Sequence, residues 1–125
     1  MKLEDTVNVE VETEYLEEQS LPEDDRFVFA YHISITNRGD QGATLRTRHW
    51  FIADGNADVQ EVKGEGVIGE QPTIEPGETY RYSSGSVLQT RVGSMRGYYV
   101  MEADDGTLFH ATIPVFTLAL PNALN

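Results

Sequence analysis

A chain of 125 residues with a net charge of −12, no cysteine and 39% hydrophobic side chains has the length and composition of one domain that builds its own core. The absence of cysteine excludes a disulfide scaffold, a thiolate metal centre, an iron–sulfur cluster and a cysteine nucleophile. Ten of the 21 acidic side chains fall within residues 1–25, beside one lysine, and such a surface repels phosphate backbones, which argues against nucleic-acid binding.

No apolar run reaches the length of a membrane span, and Met1-Lys2-Leu3-Glu4-Asp5 lacks the apolar region of a secretion signal. A cytoplasmic protein without membrane insertion is therefore expected. From Val7 to Tyr15 the residues alternate without a break, with Val7, Val9, Val11, Thr13 and Tyr15 on one face and Asn8, Glu10, Glu12 and Glu14 on the other. That period of two predicts a half-buried strand whose acidic row discourages edge pairing. A second strand is predicted over 26–36, with Phe27, Phe29, Tyr31, Ile33 and Ile35 inward, ending at the turn Asn37-Arg38-Gly39-Asp40. A third, over 43–53, places Arg46, Arg48, Trp50 and Ile52 on one face and Thr47, His49 and Phe51 on the other.

Asp54-Gly55-Asn56-Ala57 predicts a hairpin turn into a short strand over 59–63. A long glycine- and proline-rich excursion follows, before a strand over 78–83 with Tyr80 and Tyr82 opposite Arg81. Residues 84–94 read as polar and irregular. Strands over 95–103 and 107–118 complete the chain, with Pro114 marking a bulge or an edge. Seven strands and no helical period predict an all-β fold, a seven-stranded antiparallel β-sandwich of fibronectin type III or immunoglobulin-like kind, with a small barrel as the alternative.

Gly64-Glu65-Gly66-Val67-Ile68-Gly69 has the glycine spacing of a dinucleotide-binding loop, but Pro72 and Pro76 follow too soon for the helix that such a site needs. Two readings of the loop remain. In one, its amides cradle an anion, with Lys63 or Arg81 as counter-charge; in the other, the glycines only allow positive φ and a close crossing of chains. Asp54, Asn56, Asp58 and Glu65 match the spacing of a calcium loop, yet Val59 replaces the required glycine and the flanks are strands. The three histidines lie on separate strands without metal-ligand spacing, and the serines 83, 84 and 86 lack a nucleophile elbow. The residues thus predict no enzyme, no metal site and no cofactor.

The runs His49-Trp50-x-Ile52-x-Asp54, Gly64-x-Gly66-Val67-x-Gly69-x-Gln71-Pro72, Pro76-Gly77-Glu78, Tyr80-x-Tyr82-x-Ser84-Gly85, Gly93-x-Met95-x-Gly97-x-Tyr99-x-Met101 and Ile113-Pro114-x-Phe116-x-Leu118 closely resemble the ApaG family, also called CorD. The resemblance runs over about residues 5–121 and makes residues 1–125 a single ApaG-like domain. It implies a fibronectin type III-like sandwich in the bacterial cytosol and an association with cobalt resistance and magnesium efflux. Similar domains in eukaryotes accompany an F-box protein and a DNA-polymerase-interacting protein, as interaction modules. The family's glycine motif, suspected of binding pyrophosphate, falls on Gly64, Gly66 and Gly69, and no catalytic residue carries over. Three positions depart from the family pattern: Ala57 stands where the hairpin usually has glycine, Asp58 where a basic residue is common, and Arg91 where proline is common.

The reading that follows is a non-enzymatic interaction module acting through an unidentified protein partner, as monomer or homodimer. The alternative is a sensor of a pyrophosphate- or nucleotide-like anion, a phosphate-containing small ligand held by Lys63, Gly64, Gly66, Gly69 and Arg81.

Overall fold

A computed structural model describes residues 2–121; Met1 and residues 122–125, at the ends of the expected domain, lie outside the described residues. The strands are β1 (Val7–Tyr15), β2 (Phe27–Asn37), β3 (Ala43–Ala53), β4 (Val59–Glu65), β5 (Thr73–Ile74), β6 (Thr79–Leu88), β7 (Val92–Ala103) and β8 (Leu108–Ala119). One antiparallel sheet has the order β1-β2-β6; the other has the order β4-β3-β7-β8, with the two residues of β5 also paired to β3. The two sheets pack as a sandwich around one core. Only short 3-10 turns break the β structure among the described residues.

The strong alternation on β2 appears as predicted: Phe27, Phe29, Tyr31, Ile33 and Ile35 are all buried. On β1 the inward row holds at Val7 and Val9, then opens, and Thr13 is exposed. Residues 84–94 are not irregular. β6 runs on to Leu88 and β7 starts at Val92, so only three residues turn the chain. The serines at 83, 84 and 86 are held in strand by the ladder to β2, where they face His32, Tyr31 and Phe29; a strongly β neighbour overrides their weak propensity.

Two bulges set the phases of the second sheet. On β8, Pro114 and Val115 both stand opposite Arg96, between the pairs Met95↔Phe116 and Gly97↔Ile113. The inward residues change from Phe109, Ala111 and Ile113 to Leu118 across that point. Pro114 thus occupies a bulge on an edge strand, where its missing N–H costs no ladder bond. On β3 the register slips between Leu45 and Thr47. Leu45 and Trp50, five positions apart, are therefore both buried. Arg46 leaves the face it was expected to share with Arg48 and Trp50, and its Nε lies 3.3 Å from Glu102 Oε1, on a residue next to the inward-facing Met101.

Trp50 sits at the centre of the core, packed against Tyr31, Tyr99 and Phe116 at ring separations of 5.5, 6.5 and 5.9 Å. Opposite it on β7 is Gly97, where a Cβ would fall 2.0 Å from the carbonyl oxygen of His49. Only glycine lets these two strands pair at that point.

The crossover from β5 to β6 is tied down by Asn37, buried at the end of β2. Its Nδ2 donates to the carbonyls of Gln41 and Ile74, both at 2.8 Å, and its Oδ1 accepts from the Gly39 amide. Its backbone accepts from Gly77 and donates to Glu78. Asn37→Ala leaves two carbonyls and an amide without partners, and should cost about 3 kcal/mol in urea unfolding. A loss below about 1 kcal/mol would mean that water replaces the side chain at no penalty.

Candidate functional site

The sandwich is closed on one side and open on the other. β1 and β8 lie close together across the sheets, whereas β4 and β6 do not close on each other. Each of them pairs on one edge only, β4 with β3 and β6 with β2. Between them run two clefts. One, of about 370 Å³, is lined by Tyr31, Arg48, Trp50, Val67, Tyr82 and Ser84. The other, of about 320 Å³, lies between Ile52, Val59 and Leu88 with Asp54 and Asp58 at its mouth. Val59, Ile68 and Val87, which line these clefts, are 61%, 60% and 50% exposed.

The glycine-rich excursion builds the upper end of this side. It fills the gap opposite the bulge on β3: Glu65 still pairs with Thr47, Thr73 pairs with Thr44, and the chain between them loops out. Gly66 donates its amide to Arg46 O, and Leu45 donates to Pro72 O. Val67 and Glu70 exchange both of their backbone hydrogen bonds, at 2.8 and 2.9 Å, around Ile68 and Gly69. Both central residues have positive φ, 44° and 79°, so this is a two-residue hairpin of the mirror-image type.

Each glycine has its own reason. At Gly64 a Cβ would fall 2.7 Å from the Arg48 guanidinium carbon; at Gly66, with φ of 61°, it would fall 2.1 Å from Glu70 O; at Gly69 there is open space, but φ is left-handed. The glycine spacing therefore folds the hairpin and makes room for an arginine. Three amides of the loop, those of Gly66, Val67 and Glu70, already donate to backbone carbonyls.

The charges nominated with the loop do not converge on it. Lys63 points to the outer face of β4, opposite His49, with its Nζ 3.3 Å from Glu61 Oε1. Arg81 lies on the opposite face of β6 from Tyr82, in a groove with His32 and Ser34 beside β1. The cation at the cleft is Arg48, whose Nη1 donates to Glu65 O and Gly66 O, both at 2.9 Å. Its position on the Trp50 face of β3 was the one available signal.

Beneath the cleft, the Tyr82 and Tyr99 hydroxyls are hydrogen-bonded to each other in the core at 2.5 Å. Burial pushes both phenols well above their ordinary value of 10, and the neighbouring Arg48 charge offsets part of the effect. Tyr80, at the rim, donates to Glu70 Oε2 and is raised chiefly by burial.

On the outer face of the second sheet, Phe51, His49, Tyr98 and His110 stack in a row, with Arg96 over Phe51. His49 Nδ1 lies 2.7 Å from Tyr98 Oη. Its Nε2 is buried and comes within 3.3 Å of Glu61 Oε1 without the alignment of a hydrogen bond. Among the described residues no three His, Asp or Glu side chains are grouped to hold a metal. The Asp54 carboxylate instead accepts from the amides of Asn56 and Asp58 and closes its own hairpin, with Ala57 at a φ of 65°.

The ApaG domain family model matches residues 17–103. Protein ApaG of Pseudomonas paraeruginosa is 59% identical over 119 residues, covering 95% of this chain and 94% of that one. Protein ApaG of an Azoarcus species is 56% identical over 127 residues, covering both chains in full. Among solved structures, the putative ApaA protein from Bordetella pertussis superposes with a TM-score of 0.91 at 45% identity, over 94% of this chain and 95% of that one. An X-ray structure from a structural genomics consortium gives a TM-score of 0.93 at 49% identity, over 98% and 92%.

Two outcomes test the geometry of the hairpin. Ile68 is a β-branched residue at positive φ, which costs about 1–2 kcal/mol. Ile68→Asn should therefore raise stability by about 1 kcal/mol, whereas Gly66→Ala should prevent the hairpin from closing and lower it by several times that amount. Equal effects of the two in thermal unfolding would refute the assignment. For the tyrosine pair, the raised phenols stabilise the fold fully below pH 10 and progressively less as pH rises beyond that value. Urea midpoints should fall with pH there, and Tyr82→Phe should flatten the fall.

Proposed function

The chain belongs to the ApaG family, and we propose that it is a non-catalytic interaction module that takes up an extended, basic segment of another protein on its open side. The observation that carries this reading is the exposed strand β4: it borders the two clefts, and every residue of it is at least partly solvent-exposed. An unpaired strand edge beside a cleft is the setting for strand addition, in which main-chain bonds give affinity and alternate side chains give selectivity. Val59, Ile68 and Val87 supply apolar contacts along the rim.

Charge decides the kind of partner. Asp54, Asp58 and Glu65 line the clefts, on a chain whose net charge is −12. Such a surface attracts a basic segment and opposes pairing of β4 with a second copy. The core is filled by side chains such as Trp50, Tyr99 and Met101, and an effect on cobalt or magnesium movement would run through the partner. The alternative, a phosphate-type anion on the loop amides, has less support. The amides of Gly66, Val67 and Glu70 are already engaged.

Selection from a random peptide library should enrich extended sequences that combine apolar residues with Lys or Arg. Amide shifts on binding should be confined to β4, β6 and the hairpin at 66–70. The double substitution Val59→Glu, Val87→Glu alters exposed side chains only, and should weaken binding at least about tenfold. Shifts centred on β1 and β8, or undiminished binding by the double variant, would sink the proposal.

A further inference from the structure

We propose that Arg48 receives a single carboxylate group carried by the segment that occupies the cleft. This rests on the reading above and names the chemistry of one anchor in it. The guanidinium is held on one side and free on the other. Nη1 is fixed by two carbonyls at 2.9 Å, and the plane lies against Gly64, where a Cβ would stand 2.7 Å from both Cζ and Nη2. Nε and Nη2 meet no acceptor among the described residues. A fixed guanidinium with one free edge presents two parallel N–H groups to a planar acceptor and loses little freedom on binding it.

The surroundings favour a monoanion. Arg48 is the one cation lining the cleft among the described residues; Glu65 lines it too, and Glu70 stands at the rim bonded to Tyr80. One guanidinium balances one carboxylate, whereas the several charges of a pyrophosphate would face both glutamates against it. Neutral donors complete the site. Tyr82 and Ser84, whose side chains end in uncharged hydroxyls, line the cleft with Arg48. Trp50 and Tyr31 form the apolar wall.

The test follows the Arg48 Nε–H resonance of the full chain while acetate, succinate and pyrophosphate are added separately at constant ionic strength. A saturable shift with the two carboxylates is expected, stronger than any response to pyrophosphate. Gly64→Ala keeps the charge but pushes the guanidinium off its seat, and should weaken carboxylate binding about tenfold. Arg48→Lys, which keeps the charge but loses the fork, should do the same. For a library-selected peptide, replacing its carboxylate by the amide should weaken binding to the wild type and make no difference to Arg48→Gln. Absence of a saturable shift, a stronger response to pyrophosphate, or unchanged binding by Gly64→Ala would each overturn the assignment. Peptides that map to the cleft while carboxylates leave Arg48 unmoved would overturn it and spare the docking reading. Carboxylates that bind where no peptide maps to the cleft would remove the segment as their carrier, and with it the proposal as stated.

Discussion

One extra residue on β3 decides what each face of the second sheet carries. Without the slip at Arg46, Leu45 and Trp50 would fall on opposite faces, and one of them would lie outside the core. With it, both are buried and Arg46 turns out toward Glu102, while Arg48, two positions before Trp50, keeps to the Trp50 side and lines the cleft with it. The outer row of His49 and Phe51 follows from the same phase. On the other side of β3 the register with β4 runs on without a slip, and the Gly66 amide donates to the Arg46 carbonyl one step beyond the Thr47↔Glu65 pair. The glycine hairpin then spans the gap between the β3–β4 and β3–β5 pairings, closed by the exchange of bonds between Val67 and Glu70.

This gives the three glycines separate physical causes that a spacing pattern cannot distinguish. Gly66 and Gly69 answer to backbone conformation, Gly64 to a side chain lying across it. A loop whose amides point to a ligand must keep them unpaired, and three of those here are used to close the turn. Strain is concentrated at Ile68, the β-branched tip, which is also among the most exposed apolar residues. Asparagine would suit that turn better, so an isoleucine held there against its preference fits a contact role more readily than a folding one.

The strands were legible wherever one face is buried and the other wet, as on β2. Residues 84–86 depart from the expected irregular stretch because two serines around a glycine carry no period; their strand exists through the ladder to Tyr31 and Phe29. β5, with two residues, is too short to leave a pattern at all. The candidate site was half legible. The loop stood out by composition, but its cation was sought among neighbours in sequence, Lys63 and Arg81, whose strands turn them to outer faces. Arg48 lies 16 positions before Gly64 and reaches it only because β4 folds back along β3. Such a pairing follows from register, and a bulge makes register unreadable from alternation alone.

The asymmetry of the sandwich bears most directly on function. Four strands end the two sheets, and an unpaired edge is a liability wherever it occurs. On one side the liability is contained: β1 carries an acidic row, β8 a proline bulge, and the two lie against each other. On the other side it is left standing. β4 has no fully buried residue, has valine at its start and glycine near its end, and carries no proline. Its charged residues, Glu61, Lys63 and Glu65, repel another copy of the same acidic chain more than they would a basic one. An edge protected against itself but not against an oppositely charged strand has the selectivity of a docking surface, and the cleft, the strained hairpin and the seated arginine all lie along that one edge.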